Sequence, residues 1–360
     1  MPIIVKHRKD TDLRKYLHKQ LMALKPSQSL PSVRQIMRDC GVSQARVDGL
    51  LDELETQGLI ERVPRRGIFK REGHETARFV PMIDLVYCGM TYDLRALPTG
   101  FHPELVDALA RQVSERHQGI RVHQFSLGSS YSDFIRLFSR PDLMACIIVG
   151  LENADLVRIA DEHHLAWVSL FPQSFTPTRQ TILIDADQVV RGQLEHLWNL
   201  GHERIAYMHV VDERVGHRDL VLRREAFYRL MAEQGLQVRP NWVVYGDYYE
   251  EPFRTNFAKV FEREPYPTAV ILADPNLPWA YRMLKEKGLT VGKDISIVGT
   301  DDLILAANID PPATTVRVPR VRAAQMALNM LDRVIAGQKD VPVEYLPVEL
   351  VVRQSTGKPR

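Results

Sequence analysis

Cysteine is scarce in this 360-residue chain, with only Cys40, Cys88 and Cys146. They are odd in number and far apart. They offer neither a disulfide framework nor the paired spacing of a metal site, and they read as small buried residues in a reducing, cytoplasmic setting. Long apolar runs are missing too, and none approaches the ~20 residues that a membrane-spanning helix needs. The opening stretch, MPIIVKHRKDTDLRK, lacks the apolar core of a secretory signal. Nor does one sign of charge dominate. The chain holds 47 Lys+Arg against 45 Asp+Glu, a net charge of +2, too small to argue for general polyanion binding.

Catalytic signatures are absent as well. There is no GxxxxGK(S/T), no GxGxxG after a strand, no GxSxG and no HExxH. Glu162-His163-His164 sets two imidazoles side by side, and adjacent helical positions do not share a face, which argues against a metal site. The loop Ser126-Leu127-Gly128-Ser129-Ser130 could hold an anion on its backbone N–H groups, but reads better as the lining of a cleft. No catalytic residue, cofactor or metal ligand is assigned, and the chain is not expected to be an enzyme.

What is present is most specific between Leu30 and Lys70. Val47, Leu50, Leu51 and Leu54 recur at helical spacing and put one apolar stripe on a helix. Ser43 stands at its N-cap and Gly58 at its C-terminal stop. Val33, Ile36 and Met37 mark a shorter helix opened by Pro31-Ser32, with Gly41 at the sharp turn between the two. Residues 60–63 and 68–70 read as short strands joined by Pro64-Arg65-Arg66-Gly67. With the leucine stripe facing inward, Gln44, Ala45, Arg46 and Asp48 face outward, where Gln and Arg can read base edges in a major groove. The Arg-Arg-Gly turn suits a minor groove, since glycine permits close approach and arginine favours its negative potential. Residues 1–72 hold 15 Lys+Arg and 9 Asp+Glu, a balance of +6 that leaves −4 for the rest. A basic head on a mildly acidic body is the asymmetry of a DNA-binding module.

From residue 81 onward short apolar runs alternate with amphipathic segments. Strands are expected at 83–88, 120–125, 145–149, 166–170, 205–211, 269–273 and 295–298, with helices between them at 103–117, 155–163, 189–200 and 280–287. The pattern is that of right-handed βαβ units in doubly wound parallel sheets. The units are too many for one sheet, so two lobes are expected. The chain would cross between them at Asp185, and residues 345–352 would return as a last strand of the second lobe. Ligands in such sheets bind beyond the carboxyl ends of the strands, which here would face one another across a cleft.

Two resemblances extend this reading. The first segment resembles the winged-helix head of the GntR family through Leu30-Pro31-Ser32, Arg34, Gly41-Val42-Ser43, Val47, Leu51, Leu54, Gly58-Leu59-Ile60 and Gly67. The resemblance implies DNA contacts from Arg34, from Ser43, Gln44, Ala45 and Arg46, and from Gly67 with its neighbours Arg65 and Arg66. Gln44 and Asp48 stand where that family usually has arginine, and Arg46 where it has threonine. Residues 82–355 look like the effector domain of LacI/GalR repressors, itself similar to periplasmic sugar-binding proteins. That likeness rests on Asp185 with Gly201-His202, on Arg223 with Phe227, on Asp274, on Val298-Gly299-Thr300-Asp301-Asp302, and on Pro311-Pro312 with Thr314-Thr315-Val316. The combination resembles the arabinose-repressor type of regulator.

The resemblance implies ligand contacts at Arg223, Asp274 and Asp301. A carboxylate can accept paired hydrogen bonds from adjacent hydroxyls, and a guanidinium donates several in a fixed fork. Tyr92, Phe171 and Trp279 follow strand ends and are candidates for the apolar wall. Ala186, Ala226 and Ala273 replace residues that the family usually has at those points, two of them polar. The fold class is thus α/β, a winged helix-turn-helix over 1–72, a linker over 73–81 and a two-lobed ligand-binding body with doubly wound sheets over 82–360. The expected function is a homodimeric, ligand-responsive DNA-binding repressor. Its partners would be double-stranded operator DNA and a small, sugar-like effector, and its helices at 103–117 and 321–335 could form the dimer face. The alternative is a sugar-binding receptor module, or a cleft enzyme, that does not recognise DNA sequence.

Overall fold

The computed structural model describes the chain from Leu13 to Arg360, leaving outside residues 1–12, 14–15, 18–19, 22–23, 25–27, 57–59, 65, 71–81, 89–100, 126–130, 141–142, 144, 151–153, 164, 173–178, 210–217 and 248. Among the expectations above, Gly58, the linker, Tyr92, Arg65 and the loop 126–130 lie outside the described residues. No helix among the described residues is long and apolar enough to cross a membrane.

The head is built from α1 (Val33–Cys40), α2 (Gln44–Thr56) and the hairpin β1 (Ile60–Val63) and β2 (Gly67–Lys70). The Ser32 side chain accepts from the Gln35 N–H and opens α1, while Gly41 closes it at φ 61°, a left-handed conformation that glycine takes without penalty. All four residues of the predicted stripe, Val47, Leu50, Leu51 and Leu54, are buried. They pack with Ile36, Ile60 and Ile68 and with Leu13 and Leu17 from a helical stretch upstream that periodicity had not marked. The hairpin is antiparallel, from Ile60 opposite Lys70 to Val63 opposite Gly67. Residues 28–30 run beside β2, where the Leu30 N–H donates to the Ile68 carbonyl at 2.7 Å.

The body has two six-stranded sheets. The first contains β3 (Met82–Cys88), β4 (Gly119–Phe125), β5 (Ala145–Val149), β6 (Ala166–Leu170), β7 (Thr181–Ile184) and β13 (Glu344–Leu346). The second contains β8 (Ile205–His209), β9 (Val243–Tyr245), β10 (Ala269–Ile271), β11 (Ser296–Asp301), β12 (Thr314–Arg317) and β14 (Glu349–Val351). The orders are β13-β7-β6-β5-β3-β4 and β14-β12-β11-β10-β8-β9. Every recorded pairing is parallel except β12 with β14. Each sheet therefore reverses its winding between its first and third strands, which is where doubly wound sheets open a crevice.

Helices cover both faces. α3 (Phe101–Glu115) and α11 (Arg320–Ile335) bury one face of the first sheet, and α4 (Tyr131–Phe138) and α5 (Ala154–Glu162) the other. In the second lobe α6 (Ala186–Asn199) and α7 (Arg218–Glu233) lie opposite α8 (Glu250–Lys259) and α9 (Leu277–Glu286). The short α10 (Ile304–Asn308) follows β11.

The chain crosses between lobes at Asp185, as expected, where the Asp185 carboxylate accepts from the Asp187 and Gln188 N–H groups and opens α6. It crosses twice more, because α11 and β13 belong to the first lobe although they follow the second in sequence. The single strand expected at 345–352 is corrected accordingly. Pro347 breaks it, because proline brings no N–H to a ladder, and β13 joins the first sheet while β14 joins the second.

Candidate functional site

Two sets of residues on the head face solvent together. Arg34, Ser43, Gln44 and Ala45 are exposed, and Arg46 is half-buried on the same end of α2. The Ser43 carbonyl accepts from the Arg46 and Val47 N–H groups at 3.1 and 3.3 Å, so Ser43 occupies the position in front of the helix. At the wing, the Arg66 N–H donates to the Val63 carbonyl at 3.0 Å and closes the turn, leaving its guanidinium exposed, 6.0 Å from the Phe69 ring centre. Gly67 sits at φ 120°, a backbone conformation closed to side chains with a Cβ. Helix end and wing tip are thus held in fixed relation by the shared core.

Another arginine, Arg62, which periodicity does not mark, ties α2 to β1. The Arg62 N–H and Nε donate to the Glu55 carboxylate at 3.0 and 2.8 Å, and Nη2 pairs with Asp52. Asp52 and Glu55 belong to α2 and Arg62 to β1. The backbone and side-chain hydrogen bonds from Arg62 hold the Glu55 carboxyl below the usual carboxylate range. Lys70 donates from Nζ to the Leu21 and Leu24 carbonyls at 3.0 and 2.9 Å, fastening the far end of the wing. The only sequence signal for the Arg62 clamp was a pair of acids one turn apart on the solvent side of α2.

In the body, Arg223 on α7 is 7% exposed and pairs with Asp219 one turn earlier at 2.6 Å. Burial works against its charge, and the carboxylates of Asp219 and Asp301 outweigh burial. Asp301 ends β11 at φ 102°. Burial pushes its carboxyl up, while Arg223 and Arg320 pull it down. Among the described residues its carboxylate takes no hydrogen bond, unlike that of Asp302, which Arg317 and Arg353 bind at 2.6 Å each. Arg223 and Asp301 thus act on each other electrostatically.

Two residues from the first lobe join them. Arg320, at the start of α11, pairs with Glu104 of α3 at 3.1 Å and lies 5.4 Å over the Phe101 ring. Burial pushes the Glu104 carboxyl up, against the pull of Arg320 and of the Ile304 backbone N–H in the second lobe. Phe171, at the end of β6 with φ 50°, packs on Phe101 at 5.6 Å.

Two expected ligand contacts are corrected. Asp274 is fully buried, and its two oxygens accept from the Leu303 N–H at 2.8 Å and the Thr315 hydroxyl at 2.9 Å, so it braces the turn after β11. Trp279 turns into the second lobe, where it packs on Phe253 at 5.5 Å. A separate groove of about 410 Å³ at the crossing is lined by Asp185, Asp187, Arg191 and Tyr345, but its charges are already matched, with Asp187 paired to Arg191 at 3.0 Å and to Arg229.

A winged helix carried ahead of a two-lobed, doubly wound body defines the class, and comparison with known proteins gives it names. Residues 12–69 match the model of bacterial regulatory proteins, gntR family, and residues 194–356 match the periplasmic binding protein-like domain. The chain joins a GntR-type winged-helix head to a LacI/GalR-type, periplasmic-binding-protein-like effector domain. It is similar to the HTH-type transcriptional repressor PurR of Glaesserella parasuis serovar 5, at 30% identity over 183 residues, covering 45% of this chain and 52% of that protein. It is also similar to the PurR of Photobacterium profundum, at 27% identity over 229 residues, covering 62% of this chain and 67% of that protein. The chain thus spans from about half to two thirds of the length of these relatives, 52% and 67%. Its fold is that of the lac repressor dimer solved with operator and the anti-inducer ONPF, with a TM-score of 0.66 at 22% identity over 78% of this chain and 95% of that one.

Proposed function

We propose that the protein is a ligand-responsive transcriptional repressor acting in the cytoplasm and not an enzyme. The observation that carries this reading is the shared exposure of the α2 start and the wing tip, on a head whose α2 and β1 the Arg62 clamp joins. In this reading residues 1–72 bind DNA, residues 73–81 link and residues 82–360 sense the effector. Ser43 to Arg46 enter a major groove, Arg34 contacts the duplex beside them, and Arg65, Arg66 and Gly67 enter the adjoining minor groove. Two heads on a homodimer would engage half-sites about one helical turn, or a multiple of one, apart. An effector held by Arg223 and Asp301, with Phe171 and Tyr92 beside it, would favour one arrangement of the lobes. It would alter operator affinity by a coupling of ~1–3 kcal/mol.

The test is a mobility-shift selection of genomic duplex fragments with the full-length protein, in the presence and absence of a library of sugars. A selected fragment released or tightened by one library member supports the reading. Failure to prefer any duplex at physiological ionic strength, with or without the library, overturns it. On a selected operator, Arg46→Ala should lose more specific than non-specific affinity. Asp301→Ala should keep operator affinity and lose the effector response.

A further inference from the structure

Four acids lie along α2, Asp48, Asp52, Glu53 and Glu55. Asp52 and Glu55 meet Arg62 of β1, and Glu53 is engaged as well. Asp48 is half-buried and has no hydrogen bond or ion pair with any described residue. Its place in the helix gives it no local task either. The first turn of α2 holds no acid, so Asp48 stands past the stretch where a carboxylate steadies the helix dipole. One turn further on stands Asp52, and like charges at that spacing repel. Among the described residues, nothing meets this charge.

The helix around Asp48 is open to solvent. Gln44, one turn earlier on the same side, is exposed. Ala45 and Gly49, also one turn apart, are exposed too, and a Cβ at Gly49 would meet nothing within 4 Å. An exposed glycine inside a helix weakens it, and neither φ nor packing asks for one here. What the bare backbone permits is close approach of the helix to the floor of a groove. At that depth a side chain as short as aspartate reaches a base edge.

We infer that Asp48 reads a cytosine in the major groove and so fixes one base pair of each operator half-site. This rests on the DNA-binding reading above and adds a specificity-determining residue to it. An ionised aspartate only accepts hydrogen bonds. In the major groove guanine presents the acceptors N7 and O6, and thymine presents O4 with a methyl group, so both meet a carboxylate badly. Adenine presents its N6 amino group beside the acceptor N7. Cytosine alone presents an amino group, at N4, with no acceptor on its own edge. Asp48 therefore selects by repulsion as well as by attraction. On any other sequence the same charge faces acceptors and phosphates with nothing in return, which lowers non-specific affinity. Gln44 suits adenine N6 and N7. A helical turn advances about 5.4 Å and a base step about 3.4 Å, so its adenine lies within about two steps of the cytosine.

The experiment uses the full-length protein and duplexes selected from a random library by mobility shift, followed by competition with single-base replacements. One position in each half-site should require cytosine, and another base there should weaken binding about tenfold. Replacing that cytosine by N4-methylcytosine keeps the base pair and covers the groove-facing side of the amino group. The native protein should lose about tenfold on the methylated duplex. Asp48→Ala should bind both duplexes alike, keep the preference at the Gln44 position, and hold random duplex at least as tightly as the native protein does. Asp48→Arg should move the preference at that position from cytosine to guanine, whose O6 and N7 accept from a guanidinium. The methylated duplex needs no variant, so the comparison holds even where a variant fails to fold. A native protein indifferent to the methyl group at every cytosine of its half-site, or an Asp48→Ala protein with unchanged base preferences, overturns the inference and leaves the DNA reading standing. If no duplex is preferred at all, the DNA reading falls and this inference falls with it.

Discussion

Thr315 donates its hydroxyl to the Asp274 carboxylate at 2.9 Å, joining the start of β12 to the turn that follows β10. The other oxygen of Asp274 accepts from the Leu303 N–H, which fixes the backbone just after Asp301. Burial, and then the nearby Asp301, push the Asp274 carboxyl well above its ordinary value. A carboxyl raised in the folded state favours folding when protonated, and that contribution is lost as pH rises through its folded pKa. Asp274→Asn can accept from the Leu303 N–H and donate to Thr315 Oγ1, so it should fold. Its urea midpoint relative to the native protein should rise as pH climbs above the ordinary carboxyl value of about 3.9. Asp274→Ala removes both acceptors and should cost about 2–4 kcal/mol. A relative midpoint that does not move with pH would show that the buried group is not the one titrating.

Gly299 lies against the same pair. A Cβ there would run into Asp274 Oδ1 and lie 3.0 Å from Thr315 Oγ1. Gly299→Ala should therefore destabilise by about 1–3 kcal/mol through overpacking and loosen the loop carrying Asp301. Gly235 provides the comparison. It has φ 69° but nothing within 4 Å of a built Cβ, so Gly235→Ala meets backbone strain alone, about 1–2 kcal/mol. Equal melting temperatures with equal effector response in the two variants would dismiss the role given to Gly299.

His202 is 1% exposed and binds the Thr268 hydroxyl through Nδ1 at 2.8 Å. Through Nε2 it meets Ser296 Oγ at 2.9 Å and the Gly357 carbonyl at 2.8 Å. A carbonyl partner requires the proton on Nε2, so Nδ1 is the acceptor from Thr268. Burial lowers the imidazole pKa, the Gly357 carbonyl opposes this weakly, and the ring is kept neutral in the fold. Stability from this group is fully present above the unfolded value of about 6.5 and is lost as pH falls through the lower folded pKa. The melting temperature of the native body should drop on acidification from about pH 7 to about pH 5, and His202→Gln should flatten that drop. A variant as acid-sensitive as the native chain would move the effect elsewhere.

The parts that were legible in the sequence are those where one residue type repeats with a period. The Val47, Leu50, Leu51, Leu54 stripe predicted a buried helix face, and 145–149 and 166–170 matched observed strands end to end. β12 was not anticipated as a strand because Thr314 and Thr315 look polar. They are fully buried, since Arg353, Asp274 and Ser355 take their hydrogen-bonding groups. The place of Asp274 is illegible in the sequence for a related reason. A carboxylate after a strand is the same sequence signal whether it faces a cleft or bends back onto its neighbours. Glu104 and Arg320 carried no joint signal at all, because only the return of α11 to the first lobe brings them together. Arg223 and Asp301 became legible through resemblance, not through periodicity.

Two of the wing arginines, Arg62 and Arg66, carry the same charge and should behave differently. Arg66 is exposed at the turn, free to neutralise a phosphate or enter a narrow groove. Arg62 is held by Glu55 and Asp52, so its charge is already met within the head. Each phosphate contact contributes nearly one unit to the slope of log affinity against log salt. Arg66→Ala should reduce that slope by about 1, with affinity lost for all duplexes alike. Arg62→Ala should leave the slope nearly unchanged, because it removes no phosphate contact. It should instead relax discrimination between operator and random duplex, as β1 is released from α2. Glu55→Gln, which keeps an acceptor for Arg62 without the charge, should lie between native and Arg62→Ala in discrimination. If Arg62→Ala lowers the slope as much as Arg66→Ala does, Arg62 touches DNA and the clamp assigned to it is wrong.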